Sequence, residues 1–359
     1  MERRQLVEAA IHRKNTGVNP FWLGNPADDT KNIYAKELGI DGIELEKHDG
    51  ALYTSVNGLI DIELAKLTNS DLIWFSPDLA PHCYEHPEGK PMWDCYGGKE
   101  RLSLTQPGVF ADVEDVAEIE AFDWPDPALI NFDEVHNNVV AAYNEGFAVF
   151  GGMWSPFFHV MSDFFGMDNY FMKMYTDPDV VIAATERIVD FYLEANELCL
   201  SRMSKYLTAG FFGNDLGSQL NMMMSPECYK KFILPYLTKI VNLIKKHELP
   251  VAIHMCGAIS SIIPSLVDMG VDVLHPIQAK ACGMEPDKLQ REFGNDLVFM
   301  GGVDTQELLP FKTVRDVELK VEELRKIFGP NFIVSPCHEC ILPNVSLDKV
   351  MAMSKSAKI

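Results

Sequence analysis

The chain has 359 residues, 47% of them hydrophobic, a composition and length that fit one large α/β barrel or two ordinary domains. Its formal net charge of -21, with no dense Lys/Arg cluster, excludes nucleic acid as a partner and disfavours a polyanionic substrate. No apolar run approaches the ~18 residues a membrane span needs, so no membrane association is expected.

Residues 1–15 read as a leading helix that begins with charge and lacks the apolar core of a signal peptide. The eight cysteines do not make a disulfide scaffold in a chain this long and fit a reducing compartment, so a cytoplasmic protein is expected. Residues 17–26 (GVNPFWLGNP) are turn-rich, and their Phe21 and Trp22 line a pocket or plug a barrel floor. Strand-like runs follow at 42–45 and 71–75. The stretch 81–107 is irregular and too long for an ordinary connection, as functional loops are. Helical patterns at 111–122 and 132–145 lead to a β-rich run at 147–153, then Trp154, Ser155 and Pro156. Asp177 and Pro178 open a helix that runs to about 204.

From there strand and helix alternate: strands at 209–213, 251–255, 271–274, 297–301 and 332–334, helices at 225–247, 258–269, 287–293, 313–328 and 346–355. Such alternation predicts a parallel sheet. With the earlier runs the strand count reaches eight, which predicts a single domain over 1–359: a (β/α)8 TIM barrel with an elaborated N-terminal region. A doubly wound sheet is the runner-up, but no GxGxxG follows a strand.

In such a barrel the chemistry sits at the C-terminal strand ends. Polar residues recur there: Asn214 and Asp215, His254 and Cys256, His275 and Gln278, Asp304, Cys337 and His338. His254 and Cys256 stand two apart, hence on one face of a strand, so both can reach one ion. The segment CHEC (337–340) brings further ligand types to the same end. A thioredoxin-like pair would open a helix near the start of its domain, whereas this CxxC follows the last strand. Imidazole and thiolate are the common ligands of zinc, and a catalytic site uses three of them with one open position.

The runs NDLGSQLNMMMSPECYKKFILPYLTKIV, IHMCG, GVDVLHPIQ, FGNDLVFMGGVDTQELLP and SPCHECILPNVSLDKVMAM, in this order and spacing, resemble the uroporphyrinogen decarboxylase superfamily across the C-terminal half. The resemblance implies the same (β/α)8 fold. It also implies one of two activities: decarboxylation of a porphyrinogen, or zinc-dependent methyl transfer to or from a corrinoid protein. The decarboxylases hold their tetra-carboxylate substrate with an arginine-rich N-terminal segment, and the corresponding GVNPFWLGNPADD has no arginine. The methyltransferase branch uses His-x-Cys and a later Cys as zinc ligands, which carry over to His254, Cys256 and Cys337, with His338 and Cys340 as alternatives for the third.

This reading makes the chain a zinc methyltransferase that moves a methyl group from a small methylated compound to the Co(I) corrinoid of a partner protein. The chain has no DxHxxG cobalamin pattern of its own. Asp215 and His159 are the expected proton-handling and orienting residues. Trp22, Trp154, Phe158, Asp215 and Gln278 are the expected substrate contacts, and the aromatic supply favours a methoxylated aromatic donor. The reverse transfer to a thiol, and a decarboxylase-like or non-catalytic binding protein, are the competing readings. A homo-oligomer is compatible with the sequence.

Overall fold

A computed structural model describes residues 1–40, 58–79 and 83–359. Among the described residues, seven parallel strands, paired in sequence order, form one curled sheet. They are β1 (Leu72–Phe75), β2 (Ala148–Gly151), β3 (Ala209–Gly213), β4 (Val251–His254), β5 (Val273–Ile277), β6 (Val298–Val303) and β7 (Phe332–Pro336). Every residue of these strands is buried, as strands covered on both faces must be. No helix among the described residues is long and apolar enough to cross a membrane.

Alternate strand residues build the inside. Leu72, Trp74, Ala148, Phe150, Ala209, Phe211, Ala252, Val273, Val298, Met300 and Ile333 form one cluster with Trp22. Alanines facing Trp22, Trp74, Phe150 and Phe211 let large and small side chains interdigitate, as in a filled barrel interior. Val7, Ala10 and Ile11 of the helix Arg3–Ile11 join this cluster and close it at the N-terminal strand ends. One step further along β4 and β5, the same inward face carries His254 and His275, which pair directly across the two strands. Packing is therefore apolar below and polar at the C-terminal mouth.

The expected strand at 42–45 lies outside the described residues. What joins the two sheet edges is the segment read as turn-rich. Phe21 bridges Val334 in parallel, with Val334 N–H donating to Pro20 O and Trp22 N–H to Val334 O, both 2.9 Å. On its other side Asp71 N–H donates to Phe21 O at 2.7 Å, and Phe21 N–H donates to Asp71 Oδ2 at 2.7 Å. Prolines and glycines hid this extended stretch, since only its centre needs ladder bonds. Trp22 is accordingly a floor residue, 1% exposed.

The long helix expected over 225–247 is two helices, Pro226–Phe232 and Leu234–Lys246. Pro235 has no N–H to give to Lys231 and its ring crowds that carbonyl, so the chain breaks at Ile233. The helix expected over 258–269 begins only at Ile263. Helices Asp28–Leu38, Gly58–Leu67, Phe157–Phe165 and Met167–Thr176 escaped the periodicity argument. Phe157–Phe165 buries seven of its nine residues, so it has no polar face to betray its period.

Asp71 is 4% exposed and binds both the Phe21 amide and the Lys358 ammonium, tying β1, the closing segment and the C-terminal helix Leu347–Ala357 to one carboxylate. Burial raises its pKa, and Lys358 and the Phe21 N–H oppose that rise. Asp71→Ala leaves a partly buried ammonium and a buried N–H without their acceptor. We expect a loss of about 3 kcal/mol in urea unfolding, the order seen when one partner of a buried pair is removed; an unchanged midpoint would show that the edges close without it.

Candidate metal centre

β4 delivers His254, and the chain continues extended far enough for Cys256 to point the same way. Their Nε2 and Sγ atoms are 3.1 Å apart. The neighbouring strand ends make room. A Cβ on Gly213 would lie 2.6 Å from Trp154 and 2.7 Å from the His254 Cβ, so only glycine allows the indole to pack on the imidazole, with ring centroids 5.3 Å apart. Gly257, at φ +84°, passes the loop after β3 so closely that a Cβ would sit 2.3 Å from Gly217 O.

That contact sets Asp215 against Cys256. Asp215 Oδ1 accepts the Cys256 N–H at 3.2 Å and lies 3.2 Å from His254 Nε2, while Oδ2 lies 3.5 Å from His159 Nε2. On the other ring edge, His254 Nδ1 is 3.0 Å from His275 Nδ1 and 3.3 Å from Glu339 Oε2. The same Glu339 oxygen is 3.7 Å from His338 Nδ1.

Two ligand groups meet metal-site spacing, with donor atoms within 4.8 Å of one another: His254, Cys256 and His338, and His254, His275 and Glu339. The electrostatics fit a cation here. Burial opposes charge on His254, yet Glu339, Cys256 and Asp215 together hold its imidazole well above the usual histidine range. Burial pushes the Cys256 thiol up to about 12, with His254 only partly offsetting it. Burial also works against ionised Asp215, but His159 and His254 outweigh it and hold that carboxyl well below the usual range. Burial, then the charges of His254 and His338, keep His275 neutral well below its usual value. Glu339 Oε2 and His275 Nε2 are buried without a hydrogen-bond partner, an expensive arrangement unless something else satisfies them. Imidazole and thiolate are ligand types that zinc commonly takes.

Of the expected site residues, the fold brings together His254, Cys256, Asp215, His159 and Trp154. Gln278 Oε1 accepts the Gly257 N–H at 2.9 Å. Cys337 stands apart. Its Sγ is 3.3 Å from both the N–H and the hydroxyl of Thr305, and burial raises its thiol. β7 ends at Pro336, so the alternation that would aim Cys337 inward no longer applies, and the group of possible ligands within 4.8 Å includes His338, the neighbouring alternative. Cys340 donates its N–H to His338 Nδ1 at 3.1 Å, and its nearest charges are Glu339, Lys31 and Asp28. Phe158 is fully buried against Tyr170 and Phe171, and its N–H donates to Asn214 Oδ1 at 2.8 Å at the end of β3. Trp22 packs 5.2 Å from the His275 ring, beneath the site.

Sequence reasoning gave no role to His275, Glu339 or Asp78. Asp78 Oδ1 accepts the Trp154 main-chain N–H at 3.0 Å and so holds the backbone from which the indole reaches His254. The signal for the first two was present, as His275 ends a strand run and Glu339 sits inside CHEC. Gly24, at φ +92°, lets the N-terminal segment run against the Glu339 carbonyl, where a Cβ would be 2.5 Å away. Asn25 and Ala27 N–H then donate to Glu339 O and Ile341 O, both at 3.0 Å, holding the CHEC loop from outside.

A curled parallel α/β sheet with an imidazole, thiol and carboxylate cluster at its C-terminal mouth defines the general class. The chain belongs to the uroporphyrinogen decarboxylase (URO-D) family, whose model matches residues 100–359. It is 27% identical over 172 residues to the uroporphyrinogen decarboxylase of Trichlorobacter lovleyi, covering 48% of this chain and 47% of that one. It is 24% identical over 168 residues to the methylated-thiol–coenzyme M methyltransferase of Methanosarcina mazei, covering 46% and 42%. The chain thus spans about half the length of the curated relatives it matches. Among solved structures, a methyltransferase from Methanosarcina mazei shares the fold with a TM-score of 0.67, over 99% of this chain and 98% of that one, at 14% identity.

The glycine contact between the loops after β3 and β4 yields a prediction. Gly257→Ala must both strain a positive φ and displace Gly217, which pulls Asp215 off the Cys256 amide. Site-resolved alkylation followed by mass spectrometry is expected to show Cys256 reacting faster in this variant while Cys199, buried in the core, stays protected. Equal Cys256 rates would mean the contact does not position the loop.

Proposed function

We propose that this chain is a zinc-dependent methyltransferase that transfers a methyl group from a small methoxylated compound, best an aromatic one, to the Co(I) corrinoid of a partner protein. The observation that carries the reading is the convergence of His254, Cys256 and His338 at the strand ends. Similarity to two Methanosarcina methyltransferases supports it. The decarboxylase alternative has less support, because residues 17–29 offer no arginine for a tetra-carboxylate substrate. We read residues 1–359 as one domain, a (β/α)8 barrel in which Pro20–Leu23 takes the eighth place, and the protein as cytoplasmic.

When bound by His254, Cys256 and His338, zinc supplies a Lewis acid that lowers the cost of expelling the heteroatom that carries the methyl group. Asp215 holds the Cys256 amide and His254 in register. Ionised Asp215 also faces His159 Nε2 at 3.5 Å, and the two together are placed to orient the donor and handle the leaving group's proton. Trp154 walls the site on the His254 side, and Asp78 keeps it there. Glu339 and His275 face Nδ1 of His254, which leaves Nε2 as the metal-binding nitrogen.

A second reading, transfer of methyl from methylcorrinoid to a thiol, is favoured by the name of the methylated-thiol relative. The two directions separate experimentally. Binding of a thiol at zinc near neutral pH releases a proton, whereas an ether releases none.

Two outcomes are expected. Purified protein carries about one zinc per chain, and Cys256→Ser loses most of it by elemental analysis with an unchanged circular dichroism spectrum; stoichiometric metal in that variant would remove Cys256 from the ligand set. Mixing the protein with a methoxylated aromatic and a Co(I) corrinoid protein gives the absorbance change to methylcobalt, and simple thiols give no proton release. Proton release with thiols together with silence toward every methyl ether would reverse the direction, and turnover without any corrinoid would overturn the mechanism.

A further inference from the structure

A cavity of about 550 Å³ opens beside His338 and runs across the ends of β5, β6 and β7 to Phe311. That is the size of a small-molecule site. Its inner end meets Gln278 and the Cys337 face, and its outer lip is Phe311, 74% exposed. A phenyl ring left in solvent at the rim of a cavity is an unused contact for a flat apolar body.

The charges along this groove decide what body it takes. Lys280 lines it, but its Nζ lies 3.1 Å from Asp304 Oδ2 and 2.8 Å from Glu307 Oε2. Asp304 cannot swing away to release it, because its carboxylate accepts N–H bonds from Gln306, Glu307 and Leu308 at 3.2, 2.9 and 2.9 Å. Lys320, the other lining lysine, is held by Glu323 at 3.0 Å. Lys280 with its two carboxylates carries a net charge of -1 (+1, -1, -1). An anionic group entering the groove would meet no lysine that is not already paired with a carboxylate.

We propose that this groove binds the non-reacting body of the methyl donor, and that it selects an uncharged methyl ether over donors bearing a carboxylate, sulfonate or phosphate. The inference rests on the methyltransferase reading and narrows its substrate class. A quaternary ammonium suits the acidic lining but has no lone pair to offer a Lewis acid, whereas an ether oxygen does.

Isothermal titration of the zinc-containing protein with 1,2-dimethoxybenzene and with 3,4-dimethoxybenzoate tests it. The uncharged ether is expected to bind about tenfold more tightly. Phe311→Ala should weaken it about fivefold, and Glu307→Gln, by removing one negative charge from the rim and leaving Lys280 paired with Asp304 alone, should tighten the benzoate about threefold. Tighter binding of the benzoate by the unaltered protein overturns the charge selection. Ether affinity indifferent to Phe311→Ala, in a protein that still methylates the Co(I) corrinoid, overturns the location. Binding of neither compound alongside methyl transfer from some other donor also overturns the inference. The absence of transfer from any donor overturns the function on which it rests.

Discussion

Both ring nitrogens of His254 are committed, and the mouth of the fold is arranged around that fact. Nε2 faces Cys256 and Asp215, and Nδ1 faces His275 and Glu339. These four groups come from the loop after β3, from the residues just past β4, from β5 and from the loop after β7. An imidazole buried to 2% exposure pays a desolvation penalty for any charge it carries, and only this crowd of acceptors makes the charged form the favoured one. Removing the glycines that let the strand ends approach would separate the groups and leave each with its own penalty.

The packing beneath supplies the rigidity that such a site needs. Trp74, Trp154, Phe211, Trp22 and His275 touch in succession under and beside His254, with centroid separations from 4.8 to 6.2 Å. Edge-on aromatic contacts of this kind fix ring orientation as well as burying area. The closing segment Pro20–Leu23 serves the same end twice. It completes the backbone pairing between β7 and β1, and through Gly24 to Ala27 it clasps the CHEC loop that carries His338 and Glu339. The N-terminal region is thus part of the site's support, although the family match begins only at residue 100.

The C-terminal half was legible because each strand there is a short apolar run bounded by a polar residue and a helix-period stretch. β3 to β7 and their helices fall within a few residues of expectation, apart from the Pro235 break and the late start at Ile263. His254 and Cys256 were legible for the same reason, since period two on a strand is a strong geometric rule. Past the strand end the rule lapses. His338 and Cys337 differ by one position, and period two no longer says which of them faces inward; the Cys337 thiol lies 3.3 Å from the Thr305 hydroxyl. Phe158 sits in a helix with seven of nine residues buried, so sequence period could not orient its ring. Pro20–Leu23 was hidden because a segment paired by single bridges carries no strand-length pattern.

An imidazole rather than a thiol at the third position, as we propose, would have a chemical consequence. A His-x-Cys pair with a later cysteine would surround a divalent ion with two thiolates, which cancel its charge. His254, Cys256 and His338 would supply one thiolate between them and leave such an ion a net positive charge of about one. Less thiolate donation leaves a harder Lewis acid, which favours an oxygen lone pair over a second soft sulfur. Glu339 and Asp215 temper that charge from outside the ligand set, each within 3.3 Å of His254. An ether oxygen is thus the donor atom that the proposed ligand set suits, and the groove beside it, whose lysines are paired with carboxylates, offers no competing site for an anion.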